Sequence, residues 1–159
     1  NLPGNEIFIS YAENYVDETM LREMNVKIYP SGTIIFPKIG GAVATNKKRI
    51  LRVPATFDNN IMGVIPKKQI VHTLWVYHYL EAIDLMKLTK TTTMPSIRKT
   101  VIQKLQIPLP PLHEQKRIVA YLDKIQQKVQ SLQALQETTE EEIKKLKESI
   151  LHKAFRGEL

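Results

Sequence analysis

The sequence contains no cysteine, which excludes disulfides and thiolate metal sites and fits a reducing compartment. It also lacks a long hydrophobic run. The most apolar stretch, around Leu74 to Leu80, carries His78 and is far too short to cross a bilayer, so no membrane association is expected. No cationic-then-apolar leader opens the chain. Asn1-Leu2-Pro3-Gly4 reads as mid-domain sequence, and the expectation is a fragment or a domain incomplete at its N-terminus. The usual signatures of catalysis are missing too. The four histidines, His72, His78, His113 and His152, are scattered and make no ligand-spaced pair with a carboxylate. Gly40-Gly41 is a lone pair without the further glycines of a phosphate-cradling loop. Pro110-Pro111 stands between Leu109 and Leu112, so the Asn/Asp-Pro-Pro-aromatic element of a nucleobase methyltransferase is absent. A nuclease centre needs clustered acids, and Asp58-Asn59-Asn60, with no further acids nearby, reads as a turn. No catalytic residue and no metal site are expected.

What the chain does have is one ordinary core's worth of residues, 159 in all, with 43% hydrophobic and 25% charged side chains. Its net charge of +7 is unevenly placed. Residues 1–26 hold one Arg against five acids, whereas residues 27–104 hold thirteen Lys and Arg against three acids. Residues 105–159 are nearly balanced, with nine bases and eight acids. Charge segregated in this way points to an anionic partner for the middle segment.

Short β-rich runs fill the first two thirds of the chain: 7–11, 33–36, 41–45, 49–53 and 60–65. Turn signals at Pro30-Ser31-Gly32, Gly40-Gly41 and Asp58-Asn59-Asn60 separate them. The pattern predicts a helix over 16–24, a main core helix over 69–88 bearing Ile70, Leu74, Trp75, Leu80 and Ile83, and a short helix capped by Ser96.

Pro108, Pro110 and Pro111 then punctuate the chain, and from Leu112 to Phe155 there is neither proline nor glycine. Steps of four and three place Ile118, Leu122, Ile125, Val129, Leu132, Gln136, Thr139, Ile143, Leu146 and Ile150 on one stripe, eight of the ten apolar. A narrow stripe on an otherwise polar helix of roughly 60 Å predicts a coiled coil, because only another helix can bury it. Gly157 is a fitting stop. Gln136 and Thr139 leave two readings open, a tolerated flaw with Leu135 substituting, or a polar device that fixes register.

Binding accounts for the cations. Lys47-Lys48-Arg49 with Arg52, Lys67-Lys68, and Arg98-Lys99 form three basic clusters, and Lys38 adds a charge before Gly40-Gly41. Thr91-Thr92-Thr93 and Ser96 lie between Lys87/Lys90 and Arg98/Lys99. Cations beside hydroxyls suit contacts to nucleic-acid phosphates and base edges. Solvated surface charge is the bland alternative for each cluster.

These residues carry a family resemblance. The run from Ile107 to Ile118, Ile-Pro-Leu-Pro-Pro-Leu-His-Glu-Gln-Lys-Arg-Ile, resembles the segment that closes a target-recognition domain in Type I restriction–modification specificity subunits and opens their conserved helix. The ending from Leu146 to Leu159 is similar to the close of that helix, and Tyr29–Phe36, Gly40-Gly41, Asn59-Asn60 and Met94–Ile97 are similar to the family's internal pattern, a match running from about residue 26 onward. The resemblance implies an α+β (mixed α/β) target-recognition domain over 1–110 and a conserved helix over 111–159 that forms an antiparallel coiled coil. It implies double-stranded DNA as ligand, methyltransferase and restriction subunits as partners, and a second helix from another recognition half or a homodimer partner. No cofactor is expected in this chain. S-adenosylmethionine, ATP and Mg would serve the partner subunits, and the setting implied is a prokaryotic cytoplasm. Two rivals stay open: a coiled-coil protein–protein adaptor with no DNA preference, and the recognition module of a single-chain restriction enzyme.

Overall fold

The computed structural model describes residues 6–12, 15–23, 26–90 and 93–158, with Asn1 to Asn5, Glu13, Asn14, Met24, Asn25, Thr91, Thr92 and Leu159 outside the description. Two compact units emerge, Asn1–Lys116 and Arg117–Leu159.

In the first unit, strands β1 (Phe8–Ile9), β2 (Ile34–Pro37), β3 (Arg49–Leu51) and β4 (Ile61–Val64) form a mixed sheet in the order β1-β3-β2-β4. β2 runs antiparallel to both β3 and β4, while β1 lies parallel to β3. Period-two alternation sends Ile34, Phe36 and Ile50 into one core with Val76, Tyr77 and Leu80 of helix α2 (Thr73–Glu81). Helices α1 (Glu18–Glu23) and α3 (Lys99–Ile102) are short, and α4 (Leu112–Arg156) is the long one.

The expected elements recur with three corrections. Residues Gly41–Thr45, read as a strand, form a 3-10 helix. Val43 donates to the Gly40 carbonyl and Asn46 to the Val43 carbonyl, both at 3.0 Å, and Asn46 takes a left-handed φ of 52° to leave the turn. A run with one β-branched core residue, Val43, between two glycines and an asparagine is too weakly β-forming to extend. The single core helix over 69–88 is in fact α2 followed by a 3-10 turn, Leu85–Leu88. Asp84 breaks it by accepting from the Met86 amide at 2.9 Å, an interaction that competes with helix continuation. The short helix after Ser96 starts at Lys99, with Arg98 rather than Ser96 at the cap.

Gly157 ends α4 as expected. Its φ of 71° lets its own amide reach the Ala154 carbonyl at 3.1 Å and the Glu158 amide reach the Lys153 carbonyl at 2.9 Å. That pair of bonds is the Schellman closure.

Tyr77 sits in the core, 4% exposed, and burial, reinforced by the negative charge of Glu81, pushes its phenol up to about 12. The folded value lies above the unfolded 10.0, so the associated stability is whole below pH 10 and is lost as pH rises toward 12. Urea denaturation at pH 8 and pH 11 is expected to show wild type losing about 1.4 kcal/mol more than Tyr77→Phe. Equal losses in both proteins would remove Tyr77 as the cause.

Candidate nucleic-acid interface

Strand pairing sorts the predicted cations onto two ends of the sheet. Ile34 opens β2 opposite both Ile50 and Val64. The Ser31-Gly32 turn, Arg52 and the Lys67-Lys68 loop therefore share one end. Pro37 closes β2 opposite Ile61, and Ile35 pairs with Arg49. Lys38, the stretch from Lys47 to Arg49 and the Asp58–Asn60 turn therefore share the other. Four residues of β2 separate the two ends by roughly 13 Å.

Backbone bonds draw a further segment to the second end. The Lys38 amide donates to Asn60, the Ile97 amide to Lys38 and the Gly40 amide to Pro95, each at 2.8 Å. A bridge also pairs Ile39 with Ser96. Lys38, Ser96 and Arg98 are thus neighbours along one rim, although 58 residues separate Ser96 from Lys38 in sequence. Thr93, Ser96, Arg98 and Lys99 are exposed, and Thr91 and Thr92 lie outside the described residues. The Asp58–Asn60 turn is closed by its own side chains. Asp58 accepts from the Asn60 amide and from its side-chain nitrogen, both at 2.9 Å, which leaves Asn59 exposed at the tip.

The cluster Lys47-Lys48-Arg49 does not act as one exposed patch. Lys48 is fully buried. Its ammonium donates to the Ile83 carbonyl at 2.9 Å, to Asn46 Oδ1 at 2.9 Å and to the Asn46 carbonyl at 3.2 Å, with Glu81 at 3.8 Å. Asn46 Oδ1 also accepts from the Leu85 amide at 2.9 Å. This polar hub fastens the β2–β3 connection to the end of α2 and to the turn after it. Burial pushes the Lys48 amine below its ordinary value, against the opposing pull of Glu81 and Asp84. Arg49 is buried as well, and its guanidinium donates to the Lys48 carbonyl at 2.7 Å. Lys47 is half-buried, whereas Arg52, Lys67 and Lys68 are exposed.

Sequence reasoning also passed over Gln115. Its amide is fully buried, accepts from the His72 amide at 2.8 Å, and donates to the carbonyls of Pro110 at 2.7 Å and Ile70 at 3.2 Å. Trp75 Nε1 and the Tyr79 hydroxyl add donations to the carbonyls of Pro108 and Gln106, both at 2.9 Å. The proline-rich segment before α4 is therefore held by polar bonds from three side chains. A Gln in the first turn of the long helix gave one available signal, its position four residues after Pro110-Pro111.

Along α4, the stripe is solvent-facing. Leu122, Ile125, Val129, Leu132, Ile143, Leu146 and Ile150 are 37–65% exposed, and Ile118 is half-buried. The two polar positions are satisfied within their own helix, with Gln136 donating to Glu140 at 3.2 Å and Thr139 to the Leu135 carbonyl at 2.9 Å.

A family model described as the Type I restriction modification DNA specificity domain matches residues 3–145. The chain belongs to this family. Among specificity-domain relatives, it is 27% identical over 121 residues to the EcoR124I/EcoR124II specificity subunit of Escherichia coli, covering 73% of this chain and 30% of that protein. It is 26% identical over 122 residues to the MjaIX specificity subunit of Methanocaldococcus jannaschii, covering 73% and 27%. A solved chain from a study of complex assembly and conformational transition in the type I R-M system superposes with a TM-score of 0.69 at 35% identity, covering 84% of this chain and 33% of that one. The HsdS subunit from Thermoanaerobacter tengcongensis superposes with a TM-score of 0.60 at 34% identity, covering 84% and 32%. This chain thus spans about a third of the length of these relatives. The specificity-domain match begins at residue 3, so it takes in the acidic N-terminal stretch that the motif resemblance left aside. Among the described residues, no group of three His, Asp or Glu side chains is placed to hold a metal ion, and no helix is long and apolar enough to cross a membrane.

Proposed function

We propose that this chain recognises a specific double-stranded DNA sequence as one half of a Type I specificity subunit. The observation that carries the reading is the specificity-domain match over residues 3–145. Lys38, Lys47, Arg52, Lys67, Lys68, Arg98 and Lys99 neutralise phosphates, while Thr93, Ser96 and the residues flanking them, Thr91 and Thr92, approach base edges. Lys48 and Arg49 act behind that surface, holding the loops that present it. Methyl transfer from S-adenosylmethionine and ATP-driven, Mg-dependent cleavage belong to methyltransferase and restriction subunits that this chain directs to a split site. The stripe on α4 pairs with a second such helix, from a second copy or from another recognition half, and the pair spaces the two halves.

Selection from a randomised duplex library is the test. The full chain is expected to enrich one defined sequence, and neutralising Arg98 and Lys99 is expected to weaken binding to every duplex while leaving that preference in place. Phosphate contacts contribute affinity without sequence information. A library that returns no enriched sequence would sink the recognition reading and favour an adaptor role.

A further inference from the structure

A cleft of about 420 Å³ opens between the Ser31-Gly32 turn, the end of β3 and the start of α2, lined by Phe8, Ser31, Gly32, Arg52, His72 and Thr73 among others. Its position follows from the pairing of Ile34 with both Ile50 and Val64, which gathers three chain segments and the Lys67-Lys68 loop at one edge. Gly32 is the floor. A Cβ there would meet Lys68 Cε at 3.4 Å, Lys68 Nζ at 3.6 Å and Thr73 Oγ1 at 3.7 Å, so an ammonium and a hydroxyl stand over the same point of backbone. Gly32 takes a φ of 87°, which glycine adopts without strain, and its lack of a side chain leaves that point of backbone open to both groups. Arg52 follows the end of β3, its guanidinium 5.1 Å from the Phe8 ring centroid, which orients the cation without neutralising it. Ser31 bonds only weakly, to the Leu51 carbonyl at 3.4 Å. Helix α2 opens onto the cleft at Thr73, and His72 gives it no side-chain cap. Among the described residues, no acidic side chain lines the cleft.

Arg52, the Ser31 and Thr73 hydroxyls and the Gly32 turn line the cleft, and Lys68 stands beside it over Gly32; a cation-rich, hydroxyl-bearing rim of this kind makes a seat for a tetrahedral oxyanion. We propose that this cleft holds one backbone phosphate of the bound duplex. Lys68 and Arg52 supply the charge, Thr73 and Ser31 donate to its oxygens, and the uncapped amides of α2 complete the shell. The proposal rests on the DNA-binding reading above and adds the place and chemistry of one contact. Because a phosphate carries no sequence information, the seat fixes register on the duplex rather than choosing bases.

Two measurements on the full chain separate the failure of this seat from the failure of the wider reading. In the first, inorganic phosphate is titrated into labelled protein and followed by amide chemical shifts. Shifts at Ser31, Gly32, Thr73 and Leu74 are expected, and Lys68→Gln should abolish them. Absence of those shifts in wild type overturns the seat, whether or not the chain binds DNA. In the second, duplex affinity is measured against salt concentration. Lys68→Gln is expected to flatten the log–log slope by about 0.9, the loss of one phosphate contact. Adding Thr73→Val to Lys68→Gln should flatten it no further, because both act on the same phosphate. A slope unchanged by Lys68→Gln in a chain that still binds duplex would assign the cleft to a different anion, such as a partner's carboxylate, and overturn the proposal. A wild type that does not bind duplex at all would refute the recognition reading, with the phosphate titration still deciding the cleft.

Discussion

Gln115→Leu is expected to lower the stability of the first unit by about 3 kcal/mol or more, and its melting temperature by roughly 10–20 °C. Leucine keeps most of the volume but none of the bonds. Three part-buried backbone groups, the His72 amide and the carbonyls of Ile70 and Pro110, would then lose their side-chain partner. Each such orphan costs about 1–3 kcal/mol, because the group has given up water and gained nothing. Glutamate is no remedy, since an ionised carboxylate cannot donate to the two carbonyls and would bring a charge into a fully buried position. Exposed Gln103→Leu, by contrast, should stay within about 0.5 kcal/mol of wild type. Thermal melts of the three proteins, with hydrogen exchange at the His72 amide, decide the matter. A melting temperature for Gln115→Leu within 2–3 °C (about 0.5 kcal/mol) of wild type would show that the latch contributes little.

The other large effect concerns α4. Replacing Leu122 and Val129 by aspartate is expected to raise the dissociation constant of the paired form about 1,000-fold or more, ~4 kcal/mol, and to leave a monomer by light scattering at micromolar concentration. Both side chains are substantially exposed in the single chain, at 37% and 47%, so they have apolar surface left to bury. In a two-fold pair each substitution counts twice, and a carboxylate in a dry seam adds a desolvation cost to the lost packing. Gln127→Asp with Gln130→Asp, on the opposite side of the helix, carries the same added charge and should leave pairing intact. A double aspartate variant that remains dimeric would refute the stripe as the pairing surface.

The long helix was legible because its signal is local and repetitive. Leu122, Ile125, Val129 and Leu132 announce a 3.5-residue period without help from the rest of the fold, and Gly157 marks its end. The sheet strands were legible locally too, as short β-branched and aromatic runs around Ile34–Phe36 and Arg49–Leu51 bounded by turn signals. The 3-10 turn at Gly41–Thr45 was not, since five residues offer too short a window for periodicity to choose between conformations. The break at Asp84 went unread because the apolar pattern runs on through Ile83 and Leu85 while the backbone does not.

Among the candidate binding residues, the sequence located the positive charge but could not say which charges face outward. Lys48 looks like its neighbours Lys47 and Arg52 in one dimension. In three dimensions, its ammonium meets a carbonyl 35 residues away at Ile83, and a partner at that distance leaves no mark in a local window. Gln115 reads as a polar residue in a helix until Ile70 and His72 arrive, more than 40 residues upstream.

Composition and periodicity by themselves determined the basic middle segment, the exclusion of thiol chemistry and the long heptad helix, while the run around Gln115 carried the family resemblance. Each depends only on residues close together in the chain. Tertiary structure alone decided that the cations divide between two ends of a four-stranded sheet, that Lys48 and Gln115 are buried in hydrogen-bonded hubs, and that Lys68 and Thr73 meet over Gly32. Those facts depend on strand order and register, which bring distant segments within bonding distance, and a hydrogen bond or a shared phosphate requires ångström proximity, whatever the separation in sequence.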